Sequence, residues 1–306
     1  MKGQTIDPGL GEKYTGKTKR LINKDGSFNI QKYGFKAGLN DAYQLLTDMP
    51  IGWLLLTLTG LYLLVNCAFA LLYLWFGIAH LGEPDRSLPP FLHAFFFSVQ
   101  TFTTVGYGVL SPHGLATNLV VTVEALTGWI GFAIITGLVY RRFSQPVARI
   151  LYSRNAIIAP YQGGWSLQFR IANMRRNVLM EMEARVMLIL HDTHTFNRRY
   201  YNLKLERSSI YLFPLNWTIV HPIDEDSPLY NTTPEGLAAQ EAEVLIMIKG
   251  FDETFAQQVR SRFSYRFDEV EWNVRFRPAY QTDPEGEVIL DLERLHETEA
   301  VEASQL

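Results

Sequence analysis

Cysteine is almost absent: the 306-residue chain carries only Cys67, which has no partner within the chain, so disulfides play no part in the fold. Charge of either sign is in small excess. A formal net charge of −3 is too small to argue for nucleic acid as a partner, and none is expected. The polar, basic opening segment, residues 1–40, lacks the apolar core of a secretory signal, which predicts that the N-terminus stays in the cytoplasm. HExxH, GxSxG and GxGxxG are all missing, which removes the usual zinc peptidase, serine hydrolase and dinucleotide-binding readings. No internal repeat is present. No apolar run carries the regularly spaced arginines of a voltage sensor.

What is present is two long apolar runs. Ile51–Phe76 is uncharged, and Ala116–Tyr140 is interrupted only by Glu124; each is long enough to cross a bilayer, because about 20 helical residues span the hydrocarbon. Lys2, Lys13, Lys17, Lys19, Arg20, Lys24, Lys32 and Lys36 precede the first run, Arg86 stands alone between the two, and Arg141, Arg142, Arg149 and Arg154 follow the second. Both ends are therefore expected in the cytoplasm by the positive-inside rule.

The organisation divides at residues 50 and 145. Residues 1–50 read as a flexible arm followed by an amphipathic interfacial helix, with Ala42, Leu45, Leu46 and Met49 as its apolar stripe, Asn40 or Asp41 as N-cap, and Pro50 as its stop. Residues 51–145 form a two-span membrane domain. Between the spans, FLHAFFFSVQTF at 91–102 is too apolar for an exposed loop; a helix from about Leu92 to Thr103 reaches roughly halfway across at 1.5 Å per residue and predicts a re-entrant segment. Residues 146–306 read as an all-β sandwich. Met180–Leu190 and Val270–Phe276 alternate with a period of two, and Trp165–Ile171, Trp217–Val220 and Val244–Ile248 supply further strands. The tail beyond His296 is acidic and expected to be disordered.

The strongest motif is TTVGYG at Thr103–Gly108. Non-helical backbone at membrane depth persists only beside a watery cavity or buried in protein, and TVGYG is the loop whose carbonyls replace the hydration shell of K⁺. The carbonyls of Thr104, Val105, Gly106 and Tyr107 are the expected K⁺ ligands. They can face one way only if handedness alternates, which Gly106 and Gly108 permit; Tyr107 is placed to brace the strand against the preceding helix. One chain supplies one strand, so a homotetramer is expected, with K⁺ as the permeant ion and no resident cofactor.

Other residues divide between functional and structural readings. Glu124 is read as a filter support that hydrogen-bonds from early in the second span. Gly128, Gly131 and Gly137 are hinge candidates, with close helix packing an equal alternative. Tyr140 narrows the pore as a gate or is an interfacial aromatic. A membrane-anchored enzyme or receptor is the competing class. Its best candidates, His191 with His194 and His221 with Asp224 and Asp226, supply at most half a zinc shell in the first case, and no catalytic activity is expected.

From about Gly38 to Phe276 the chain resembles the prokaryotic inward-rectifier potassium channels. FRIANMR at 169–175, NWTIVHPIDEDSPLY at 216–230 and SYRFDEVEW at 264–272 carry that likeness, beside the filter. The resemblance implies a bacterial inner-membrane homotetramer with an immunoglobulin-like cytoplasmic sandwich that continues the pore. It implies Glu181 and Glu269 as acids of the cytoplasmic vestibule, both on the polar phase of a strand. It further implies barium and polyamines as blockers, and anionic phosphoinositide-like lipid bound by Arg141, Arg142 and Arg149. The chain departs from animal relatives at Gln145, Val147 and Ala148, where lysines are usual. It also has Phe132 where strong rectifiers place an acid, so weak polyamine block is expected.

Overall fold

A computed structural model describes residues 4–5, 7–11, 20–31, 33–34, 43, 45–47, 49–82, 88–144, 148–192 and 197–301. They fall into two compact units, residues 34–145 and residues 1–33 with 146–306. Of the expected 1–50 segment, the described residues up to 33 group with the β unit and those from 34 onward with the membrane unit.

In the membrane unit, helix α1 (Ile51–Phe76) starts after Pro50, whose extended backbone cannot continue a preceding helix, and ends at Gly77 with a φ of 98°. Helix α2 (Pro90–Phe102) begins on Pro90 in the first turn, where a missing N–H leaves no bond unmade. Its 13 residues extend about 20 Å, half the bilayer rather than all of it. Helix α3 (Leu115–Ser144) is the second long apolar element. Ala70, Tyr73, Leu81, Ala94 and Phe97 form the unit's small core. Leu55, Leu56, Leu64, Trp75, Trp129 and Phe132 point outward and exposed, which suits lipid or another apolar surface and not water. Ahead of α1, Tyr43 and residues 45–47 are helical, with the Met49 N–H bonded to the Leu45 carbonyl at 3.0 Å. Asn40, Asp41 and Ala42, the expected cap and start of the stripe, lie outside the described residues.

The β unit is built around two large packed sheets, with two further two-stranded pairs among the described residues. The strands are β1 (Gln4–Thr5), β2 (Ile150–Tyr152), β3 (Ala156–Tyr161), β4 (Gly164–Asn173), β5 (Leu179–His191), β6 (Arg198–Leu203), β7 (Ser209–Leu212) and β8 (Asn216–Ile223). Helix α4 (Pro234–Ala239), capped by the Thr233 hydroxyl, leads to β9 (Glu243–Asp252), β10 (Gln257–Arg266) and β11 (Val270–Trp272). One sheet runs β1-β6-β5-β9-β10 with β7 also on β5; the other runs β11-β3-β4-β2 with β8 also on β4. Alternate residues such as Phe169, Ile171, Val186, Leu188, Ile246 and Ile248 meet between them, the period-two burial of a sandwich.

Three expectations are corrected. Val270–Phe276 is not one strand: Asn273 takes a φ of 59°, its N–H turning to the Ile158 carbonyl at 3.0 Å, so β11 ends and β12 (Val274–Phe276) starts afresh. The segment after His296 is not wholly disordered, because after the hairpin of β13 (Tyr280–Thr282) and β14 (Val288–Leu290), β15 (Thr298–Ala300) pairs antiparallel with β12; residues 302–306 lie outside the described set. The opening arm is not free where it is described. β1 pairs with β6, and Leu21 and Ile22 are buried with Ile189, Tyr200 and Leu245.

Candidate functional site

The segment after α2 departs from the helix at Thr103. The Thr104 N–H reaches the Thr101 carbonyl at 3.0 Å, and the Val105 N–H reaches the Gln100 carbonyl at 2.9 Å, so the tail of α2 pins the start of the loop. Beyond it, handedness alternates: Thr104, Gly106 and Gly108 have φ of 59°, 52° and 81°. Every second residue is left-handed, the pattern that turns successive carbonyls to one side. Thr104 takes this region without being glycine, a feature that residue type did not reveal. Val105 and Tyr107 are 53% and 74% exposed in the single chain.

Behind the loop lies a polar network that draws on all three helices. Glu124 of α3 is fully buried and accepts hydrogen bonds from the hydroxyls of Tyr73 on α1 and Ser98 on α2. Ser98 also lies 3.0 Å from the Asn66 side-chain oxygen. The carboxylate was legible in the sequence; Tyr73, Ser98 and Asn66 were not, since a lone polar residue in an apolar run gives no partner. Glu124→Ala is expected to strip the buried Tyr73 hydroxyl of its acceptor, at about 1–3 kcal/mol, while the Ser98 hydroxyl keeps the Asn66 oxygen. Glu124→Gln, which keeps one acceptor oxygen, should fall between it and the parent in thermal unfolding of the solubilised protein.

Of the hinge candidates, Gly128 is a packing glycine: a Cβ there would overlap the Phe102 carbonyl oxygen at the end of α2. A Cβ on Gly131 would meet the Phe102 ring at 3.7 Å, and one on Gly137 nothing within 4 Å. Tyr140 and Phe132 project from α3 and are exposed in the single chain.

The basic residues separate by role. Arg142 donates to the carbonyls of Thr47 and Met49, tying the segment before α1 to the end of α3, and Arg141 lies over the Tyr43 ring at 4.9 Å. Arg149 is exposed. The acids separate too. Glu181 is exposed on β5, where a register shift against β9 and a φ of 50° form a bulge. Bulges re-aim side chains, and period-two counting does not detect them.

The strand placement of Glu269 is corrected. It ends a short helical turn, Phe267–Glu269, and its carboxylate is held by Arg20 and by Lys24 at 2.7 Å. Burial raises its pKa, but Lys24, the Arg266 N–H and Arg20 together leave it below the ordinary value. The cause is local: Asp268 and Glu269 follow the helical turn, not the pleat. The candidates of the competing class lie elsewhere. His221 is buried, donating to the Lys204 carbonyl at 2.6 Å and meeting the Ser227 hydroxyl at 2.8 Å, an anchor for the loop after β8; burial lowers its pKa. His191 receives Arg198 at 3.2 Å, and His194 lies outside the described residues.

Two apolar spans, a helix that stops halfway and a TVGYG backbone of alternating hand define an ion-channel pore subunit. The family comparisons agree: residues 54–145 match the ion channel family, and residues 150–306 match the inward rectifier potassium channel C-terminal domain. The chain is 38% identical to the inward rectifier potassium channel Kirbac3.1 of Paramagnetospirillum magnetotacticum, across 94% of this chain and 98% of that protein. It is 27% identical to mouse inward rectifier potassium channel 4, across 91% of this chain and 72% of that protein. The mouse G protein-activated inward rectifier potassium channel 4 is also 27% identical, across 92% and 73%. The chain belongs to the inward-rectifier potassium channel family.

Proposed function

We propose that four copies of this chain form a K⁺ pore in a bacterial inner membrane, with both ends of each chain cytoplasmic. The observation that carries the reading is the alternating hand at Thr104, Gly106 and Gly108, since only successive inward carbonyls replace a hydration shell. K⁺ is held by the carbonyls of Thr104, Val105, Gly106 and Tyr107. Four α2 C-termini, each with about half a negative charge, favour a cation at the bilayer centre. Tyr140 forms the gate, which the β domain and membrane lipid set. Arg141 and Arg149 attract anionic headgroups as juxtamembrane cations do, whereas Arg142 serves mainly to hold the segment before α1. Glu181 supplies a ring of acids that concentrates K⁺.

Reconstituted protein is expected to take up rubidium in a barium-sensitive manner and to discriminate against sodium; equal sodium and potassium flux refutes the proposal. In excised patches, spermine should block outward current weakly, because Phe132 offers no carboxylate in the span. Steep voltage-dependent block would overturn that part of the reading.

A further inference from the structure

The arm is fastened to the β unit at one buried carboxylate. Leu21 and Ile22 are each 5% exposed. The Leu21 N–H lies 3.1 Å from both carboxylate oxygens of Glu243, at the start of β9, and the Ser264 hydroxyl donates to the Ile22 carbonyl at 2.7 Å. Gly26, with a φ of 82°, closes the arm's turn so tightly that a Cβ would lie 2.9 Å from the Arg262 carbonyl oxygen.

Glu243 is itself 5% exposed, and the cations around it are committed to other acids. Arg20 and Lys24 on the arm pair with Glu269. Arg266, its cross-strand neighbour on β10, turns to Asp268 at 3.6 Å. On the other flank, β5 presents apolar Ile189, and beyond it His191 bonds to Arg198. On β6, the Tyr200 hydroxyl donates to the Gly11 carbonyl. Glu241, two residues upstream, adds only like charge. A carboxylate whose direct ligands are neutral donors is poorly compensated when ionised and buried.

We propose that Glu243 is a proton-tightened clasp: the docked arm covers this carboxylate, so proton uptake there strengthens the hold of the β sheet on residues 20–29. The electrostatics agree in sign. Burial sets the Glu243 pKa above its ordinary 4.5, against the lowering effects of the Leu21 N–H, Ser264, the Ile22 N–H and Arg20. An arm lifted away returns the group to water and to that ordinary value, so the clasp is complete below 4.5 and is lost as pH rises through the raised pKa. Glu269 acts oppositely, its depressed pKa adding attachment above 4.5 that is lost as pH falls through the depressed value. The arm is therefore held most firmly between the ordinary carboxylate pKa and the raised pKa of Glu243, and less firmly at higher pH.

This inference does not depend on the conduction reading. Hydrogen exchange of the full-length protein in nanodiscs, corrected for intrinsic rates, tests it on the peptide spanning residues 20–29. As pH falls from about 7.5 to about 4.5, protection should rise, by at most about tenfold per pH unit for one proton. Glu243→Gln should remove the slope and leave the segment protected throughout. A flat parent profile, or a slope that survives Glu243→Gln, overturns the proposal. Should that variant fold poorly, Glu269→Gln decides: it should lower protection above pH 4.5 while keeping the slope, and loss of the slope instead would overturn the assignment to Glu243.

Discussion

Replacing Gly106 with alanine is expected to abolish barium-sensitive rubidium uptake while leaving membrane insertion and oligomer size unchanged. The reason is conformational and not steric. A Cβ at this position meets nothing within 4 Å in the chain, but the residue sits at a φ of 52°. An L-residue held there costs about 1–2 kcal/mol, so four strands together cost on the order of 4–8 kcal/mol. Thr104 already bears that strain once per strand. Relaxing to the right-handed region would rotate a peptide plane and take its carbonyl out of the ring, leaving K⁺ partly unhydrated and uncoordinated. Gly60 in α1 is the control: it also has open space around it but lies in a regular helix, so Gly60→Ala should conduct like the parent. Undiminished uptake by Gly106→Ala would refute the carbonyl-ladder account.

The contrast between these two glycines marks what a linear reading can extract. Helix spans, the half-length of α2 and the main strands are visible because burial in lipid or between sheets imposes a local period or an unbroken apolar run. TVGYG is visible because its chemistry is written in consecutive backbone positions. The rest depends on contacts far apart in the chain. Glu124 stands out as a lone charge, but its partners Tyr73 and Ser98 are 51 and 26 residues away. The arm looks flexible because it is polar, yet Leu21 and Ile22 dock on a sheet more than 150 residues later. Glu269 fits an alternating pattern until the helical turn at Phe267 breaks it, and Asn273 ends β11 by a left-handed backbone that asparagine permits but does not announce.

Gly128→Ala is expected to reduce rubidium uptake at least tenfold and to lower thermal stability, whereas Gly131→Ala and Gly137→Ala should stay near the parent. At Gly128 the added Cβ would overlap the Phe102 carbonyl oxygen and come within 3.2 Å of the Phe102 Cα. Backbone atoms cannot rotate aside as a side chain can, so either α3 retreats from α2 or the end of α2 moves. Overpacking of this kind costs about 1–3 kcal/mol. Here the strain is also delivered to a sensitive place, because Thr103 leaves the helix directly after Phe102 and the filter follows. Gly131 would make only an ordinary contact at 3.7 Å, which the Phe102 ring can absorb, and Gly137 would make none. A hinge predicts another order, in which loss of backbone freedom matters most where no packing constrains it. Normal conduction in Gly128→Ala with impaired conduction in Gly137→Ala would therefore transfer the functional role from packing at the filter's base to bending of the inner helix.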